Sequence, residues 1–247
     1  MTVVSVGFEL LPPSRGDASL YLDRARMLEG LADFISIPDT PGGEARACGA
    51  AVAARIRDEV GVSVVVHVKT VNSNRVGIFS QVLGAALAGA SGVLITRGDR
   101  PREGIVVRDV SVEEVFGWAR SRSDLSRLKL GVTVPVPRVY HEKLVRRRLR
   151  LRPDFVYTQV VSKPSEVADV AKHLQGFGEG GVEIFVPVIV PSELNREAVK
   201  AFGFEPVSCL EGVVEEAVRH GVNILLSSPA DFEAGLKALK KVRELLG

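Results

Sequence analysis

The stretch from Val64 to Pro101 limits the possible folds more than any other part of the chain. Val64, Val65, Val66 and Val68 form a short β-branched run that ends in polar residues. Asn74 then precedes a segment whose apolar residues recur at helical spacing. Gly92-Val93-Leu94-Ile95-Thr96 is a second strand-like run, leading directly into Arg97-Gly98-Asp99. Strand, helix, strand is the pattern of a parallel crossover, because parallel neighbours need a long connection rather than a tight turn. Both strands finish in charged or hydrogen-bonding groups, His67 and Lys69 on one and Arg97 and Asp99 on the other. Ligands of parallel α/β folds sit at the carboxyl ends of strands, so a site is expected here.

The same alternation runs through the rest of the chain. Strands are expected over 2–8, 33–37, 62–68, 92–96, 128–134, 155–159, 182–186 and 223–226. Helical stretches lie between them, one beginning near Asp17, an Ala-rich one over about 44–60, and a last one over about 229–246. Eight strand–helix units in 247 residues predict an α/β chain folded as a (β/α)8 TIM barrel, with residues 1–247 as one domain. An open doubly wound sheet is the rival. It is disfavoured because no GxGxxG follows the first strand; Gly42-Gly43 reads only as a turn.

Composition removes several function classes. Formal net charge is +2, which carries no general signature of polyanion binding, so nucleic acid is not an expected partner. No run is long and apolar enough to predict a membrane span, and the start of the chain does not read as a signal peptide, so a cytoplasmic location is expected. Cys48 and Cys209 match no metal or redox spacing and are expected to be small core residues of a reduced protein. The histidines at 67, 141, 173 and 220 show no metal-ligand spacing, and no GxSxG nucleophile turn occurs. Arginine is abundant and glutamine occurs only at 81, 159 and 175, a pattern that fits a thermophilic source.

Polar residues gather at the expected strand ends. Glu9 closes an otherwise apolar first strand. A carboxylate there either caps a backbone amide or is an acid whose pKa is raised by burial. The turn Ser36-Ile37-Pro38-Asp39-Thr40-Pro41 follows the second strand, and Thr158-Gln159 follows the sixth. Gly98 permits close backbone approach to a planar or phosphorylated ligand. The dense basic run from Tyr140 and His141 through Arg146-Arg147-Arg148 to Arg150 is either a solvated helix face or a phosphate site.

Five of these segments, in order, resemble the methylenetetrahydrofolate reductase family: FELLPP, ISIPDTPGG, NRVGIFSQVLGAALAGASGVLITRGDRP, DFVYTQVV and PVIVPS. The resemblance implies a (β/α)8 barrel that binds a flavin, FAD with FMN as the alternative, and takes NAD(P)H as reductant. It implies hydride transfer that converts 5,10-methylenetetrahydrofolate to the 5-methyl form, in one-carbon metabolism and methionine biosynthesis. Glu9 matches the family's general acid, and Asp99 the carboxylate beside pterin and flavin. Gln159 matches a folate contact. His67, Arg97, Gly98, Asp99, Tyr140, His141, Arg147 and Arg148 fall at cofactor-binding positions. The partners implied are a small folate or pterin substrate and further copies of the chain. The sequence departs from the family at Pro38, where relatives carry a Thr, at Lys69 and Val71, and at Asn195, which stands in place of a substrate-stacking Phe. These departures keep other readings open: a reductase of another C1-pterin such as methylene-tetrahydromethanopterin, a protein electron donor, or a non-catalytic barrel subunit.

Overall fold

The computed structural model describes residues 3–136, 141–175 and 181–247. Its eight strands form a closed parallel barrel in sequence order: β1 (Val6–Glu9), β2 (Phe34–Ile37), β3 (Val64–Lys69), β4 (Gly92–Thr96), β5 (Lys129–Thr133), β6 (Phe155–Tyr157), β7 (Glu183–Ile189) and β8 (Asn223–Ser227). The helices are α1 (Ser19–Leu28), α2 (Gly49–Glu59), α3 (Arg75–Leu87), α4 (Val112–Arg120), α5 (Glu142–Leu149), α6 (Pro164–Gln175), α7 (Glu193–Lys200), α8 (Leu210–His220) and α9 (Phe232–Leu246). The (β/α)8 architecture expected from the alternating pattern is the one observed. The elements group into two compact units, Leu10–Glu29 with Phe34–Thr133, and Met1–Glu9 with Gly30–Asp33 and Val134–Gly247.

The first unit holds β2 to β5 and α1 to α4. Ile35, Ile37, Val66, Val68, Val93, Ile95 and Val132 are buried, as parallel strands covered by helices require. Gly49 lets α2 press on this layer: a Cβ there would lie 2.8 Å from Val66 Cγ1. Alternation along the strands turns Ser36, His67 and Lys69 to the opposite face. Registers pair His67 with Leu94 and Lys69 with Thr96. Helix starts follow local chemistry. The Asn74 side chain accepts from the Gly77 N–H at 3.0 Å, and Ser111 with Glu114 forms a capping box.

The helix expected to start near residue 44 starts at Gly49 instead. Residues before it are claimed by long-range bonds: Ala47 N–H donates to Pro13 O at 2.8 Å, and Arg46 Nη1 donates to Pro12 O at 3.1 Å. A 3-10 turn over Pro41–Gly43 precedes them, entered through Thr40 at φ 41°.

The second unit holds β1, β6 to β8 and α5 to α9. Phe8 meets Phe232 of α9 edge-on at 5.9 Å. A Cβ on Gly235 would lie 2.7 Å from the Phe8 ring, so glycine is what allows α9 to sit this close. Phe155, Tyr157 and Phe185 form an aromatic cluster with centroids 5.5–6.2 Å apart. Asp33 Oδ2 accepts from Val6 N–H at 2.7 Å, and Arg243 pairs with Asp33 at 2.8 Å, which ties α9 to the start of β1.

Both cysteines depart from the expectation of core residues. Cys48 and Cys209 are exposed, and each occupies the N-cap of a helix, α2 and α8. The apolar interior is already filled by branched aliphatics and phenylalanines, and a cap position lies outside it by construction.

Candidate functional site

Two clusters of ionisable side chains lie at strand carboxyl ends, one in each unit. In the first unit β3 delivers His67 and Lys69, the β2 turn delivers Asp39 and Thr40, and the segment after β4 delivers Gly98 and Asp99. Lys69 is 3% exposed. Its backbone N–H donates to Asp39 Oδ2 at 3.0 Å, and its Nζ donates to Thr40 O at 3.0 Å. Asn72 Nδ2 donates to Thr40 Oγ1 at 2.6 Å, and Gly42 N–H donates to Asp99 Oδ2 at 3.1 Å. Thr40 is a non-glycine residue in the left-handed region, and these bonds hold it there.

Burial dominates the electrostatics of this cluster. It pushes the Lys69 ammonium below its ordinary pKa, against the opposing pull of the Asp99 and Asp39 carboxylates. Burial raises Asp39, opposed by the Lys69 N–H bond, the Lys69 charge and Thr40. His67 is pushed down to about 3 by burial and by the Lys69 charge, so its imidazole is neutral at pH 7. Its Nε2 lies 2.8 Å from Ser36 Oγ, and which atom donates depends on the tautomer. A cavity of about 130 Å³ adjoins Asp39, Arg46, Cys48, His67 and Gln81. That is smaller than the roughly 300–1,000 Å³ typical of a ligand pocket.

In the second unit Glu9 ends β1 and is partly exposed. Register pairs it with Ser227 of β8, whose hydroxyl donates to Glu9 Oε1 at 2.8 Å. Burial raises the Glu9 carboxyl above the carboxylate range, and the Ser227 bond offsets part of that rise. The group that bonds the Glu9 carboxyl is a serine hydroxyl, and the carboxyl is shifted up by burial.

Most other expected site residues lie at the ends of elements. Arg97, Gly98 and Asp99 are exposed. Gly98 has φ +76°, and a Cβ there would lie 2.3 Å from Lys69 Cε. The close approach that the glycine allows is thus made by the Lys69 stem of the same chain. Gln159 is half-buried, its N–H bonded to Val136 O at 2.7 Å. His141 caps α5, accepting through Nδ1 from Leu144 N–H at 3.3 Å. Tyr140 lies outside the described residues.

The basic cluster on α5 divides. Arg146 pairs with Glu142, Arg147 is exposed, and Arg148 is 7% exposed beside buried Val145. Neighbouring residues on a helix point about 100° apart, so Arg147 and Arg148 do not form one fork.

Asn195, standing where the resemblance places a stacking ring, is fully buried. Its amide donates to Val190 O at 2.9 Å and Ser228 Oγ at 2.8 Å and accepts from Ala230 N–H at 3.0 Å. It brackets the start of α7 to the segment after β8, and it is fully buried with both of its donors used.

Sequence reasoning missed the roles of Lys69, Asn72 and Ser227. The period-two spacing of His67 and Lys69 puts both on one strand face and was a usable signal for the first. Nothing local marks Ser227, which reaches Glu9 only through strand pairing. Among the described residues, no group of three or more His, Cys, Asp or Glu is placed to hold a metal ion. No helix there is long and apolar enough to cross a membrane.

Comparison with known proteins adds family and fold. The family model described as methylenetetrahydrofolate reductase matches residues 2–121. Over this stretch, just under half of its length, the chain is similar to the methylenetetrahydrofolate reductase family. The match takes in Glu9, His67, Arg97, Gly98 and Asp99 and ends before β5, so Gln159 and the α5 arginines lie beyond it. The match points to a folate-related oxidoreductase, and enzymes of that family are generally flavin-dependent. A comparison with curated proteins gives no match.

Solved structures show the fold alone. A mutant tryptophan synthase α-subunit from the hyperthermophile Pyrococcus furiosus aligns with TM-score 0.65 at 16% identity, over 100% of this chain and 98% of that one. Dihydrodipicolinate synthase from Agrobacterium tumefaciens aligns with TM-score 0.60 at 11% identity, over 99% of this chain and 76% of that one.

Proposed function

We propose that this protein is a flavin-dependent reductase of 5,10-methylenetetrahydrofolate, yielding 5-methyltetrahydrofolate with NADH or NADPH as reductant in the cytoplasm. The observation that carries the reading is Glu9: inside the family match, at the end of an apolar strand, with its carboxyl raised by burial. Such a group holds a proton closer to neutral pH than an ordinary carboxyl does, which is what ring opening of the substrate requires.

The residues present fit a flavin. At the turn after β2 the Lys69 ammonium makes one hydrogen bond, to Thr40 O, which leaves two N–H donors. Asn72 Oδ1, on the amide bonded to Thr40, is buried without a hydrogen-bond partner. Unsatisfied donors and an acceptor side by side suit a heterocycle that carries both carbonyl and N–H groups. When bound, the flavin supplies the hydride. Glu9 gives the proton that opens the substrate's five-membered ring. Asp99 provides negative charge to favour the cationic form of the opened substrate. Gln159 orients the pterin, and Arg147 and Arg148 contribute positive charge toward the cofactor's phosphates.

The test is the purified protein. It should be yellow, bleach with NADH or NADPH, and reoxidise with methylenetetrahydrofolate. Glu9→Gln should keep the colour and the bleaching but lose the reoxidation. A colourless wild-type protein that binds no added flavin would rule the reading out.

A further inference from the structure

We propose that Lys69, a residue by which this chain departs from the family pattern, is a positioning residue whose buried ammonium makes the strand-end site of the first unit hold reduced flavin more tightly than oxidised flavin. The inference rests on the flavin reading above and deepens it, assigning Lys69 an effect on the balance between oxidised and reduced cofactor.

The geometry supports it from several sides. Lys69 closes β3 and is 3% exposed, yet Nζ makes only the hydrogen bond to Thr40 O. Among the described residues no carboxylate stands within salt-bridge distance of it, although Asp99 and Asp39 act on it electrostatically. A lysine kept this dry without a direct ion pair is costly, unless a ligand supplies the missing negative charge. Its position is fixed along its whole length. The backbone N–H is held by Asp39, and the stem passes over Gly98, where a Cβ would fall 2.3–2.6 Å from Cε, Cγ and Cδ. The glycine at 98 therefore keeps the lysine stem in place, and any side chain there would push the ammonium away. Asn72 is bonded to the same Thr40 and leaves one amide atom unsatisfied in either amide orientation. A cationic donor and an amide with one unsatisfied atom thus converge on the same residue, Thr40. That combination matches the carbonyl and N–H edge of a flavin's pyrimidine ring, where negative charge accumulates on reduction.

A lysine serving only to brace the Thr40 turn would affect folding and not the balance between oxidised and reduced ligand. The experiment compares wild type, Lys69→Met and Lys69→Arg, each loaded with FAD. Affinity for oxidised FAD is read by fluorescence quenching, and the midpoint potential of the bound flavin by equilibration with a reference dye. Lys69→Met should weaken the hold on reduced flavin relative to oxidised by at least about tenfold, a fall of about 30 mV for a two-electron couple. Lys69→Arg should restore most of it. A Lys69→Met protein that binds FAD with the wild-type potential overturns the role of Lys69 and leaves the flavin reading standing. Wild type that binds no FAD removes both. Should Lys69→Met fail to fold, wild type decides by NMR of ¹⁵Nζ-labelled lysine. The Lys69 signal should move when the bound FAD is reduced, and a stationary signal overturns the proposal.

Discussion

The two units each place an ionisable side chain at the carboxyl end of a buried strand and give it different neighbours. Glu9 ends β1 hydrogen-bonded to the Ser227 hydroxyl, and burial raises its carboxyl toward the neutral form. Lys69 ends β3 among carboxylates that favour its charge, with a backbone carbonyl on Nζ. Desolvation opposes both charges, so what differs is the company each group keeps. A lone hydroxyl leaves a carboxyl free to gain or lose a proton in use. Two carboxylates and a carbonyl support an ammonium's charge, although burial outweighs them and lowers its pKa. The first suits a proton donor and the second a fixed electrostatic support.

The largest expected effect breaks the first half of that contrast. Glu9→Gln should lower folate reduction by roughly 10²–10⁴-fold while flavin reduction by the nicotinamide donor continues. Stopped-flow measurement of the two half-reactions separates them. The same variant has a stability signature. Because folding raises the Glu9 pKa, its contribution to stability is present below the unfolded value, near 4.5, and is lost as pH rises through the folded value. At neutral pH the variant should therefore be at least as stable as wild type, and any advantage should vanish below about pH 4.5. A variant with folate turnover within a few-fold of wild type would remove Glu9 from the chemistry.

Much of the fold was legible because it is written in local period. β4 was expected and found over Gly92–Thr96, and β-branched runs gave the other seven strands to within a few residues. The ends of elements were less legible where distant groups decide them. α2 begins late because Pro12 and Pro13 carbonyls claim Arg46 and Ala47, which no window around residue 44 contains. The site was legible at Glu9 and His67, whose residue types conflict with their strands. The bracing role of Asn195 was not legible, because an amide that brackets two segments looks, in sequence, like any polar substitution. Lys69 stood out as a departure, but its burial depends on Gly98 and Thr40, which approach it only in the folded chain.

The next largest effect concerns His67, which shares a strand face with Lys69. Folding depresses its pKa from 6.5 to about 3, so its contribution to stability is present above pH 6.5 and is lost as pH falls toward 3. Across that window wild type should lose stability relative to His67→Gln at up to about 1.4 kcal/mol per pH unit. Urea unfolding at several pH values gives the slope. Parallel curves for the two proteins would mean that His67 is charged in the folded state, contrary to the neutral ring described for this unit.

A smaller effect sharpens the contrast between exposed and buried charge within the second unit. Arg147 is exposed and Arg148 is buried. If Arg147 reaches a cofactor phosphate, Arg147→Ala should weaken flavin binding by about tenfold, one charge-assisted bond of about 1.5 kcal/mol or more, with the melting temperature unchanged. Arg148→Ala should lower the melting temperature as well, because it empties part of the α5 contact. Unchanged flavin affinity in Arg147→Ala would make that residue part of a solvated helix face.

The smallest effect tests how Glu9 is tuned. The Ser227 hydroxyl donates to Glu9 Oε1 and so favours the carboxylate, the one influence that pulls its pKa down against burial. Ser227→Ala removes that donor and leaves the rest of β8 in place. A hydrogen bond of about 1 kcal/mol corresponds to a rise of less than about one pH unit. An enzyme that needs Glu9 protonated loses activity as pH climbs past its pKa. The falling limb of the folate half-reaction should therefore move to higher pH in Ser227→Ala, with little change in the maximum rate. A limb that moves to lower pH would mean that the hydroxyl stabilises the protonated acid instead. A limb that stays in place would assign the observed ionisation to another group.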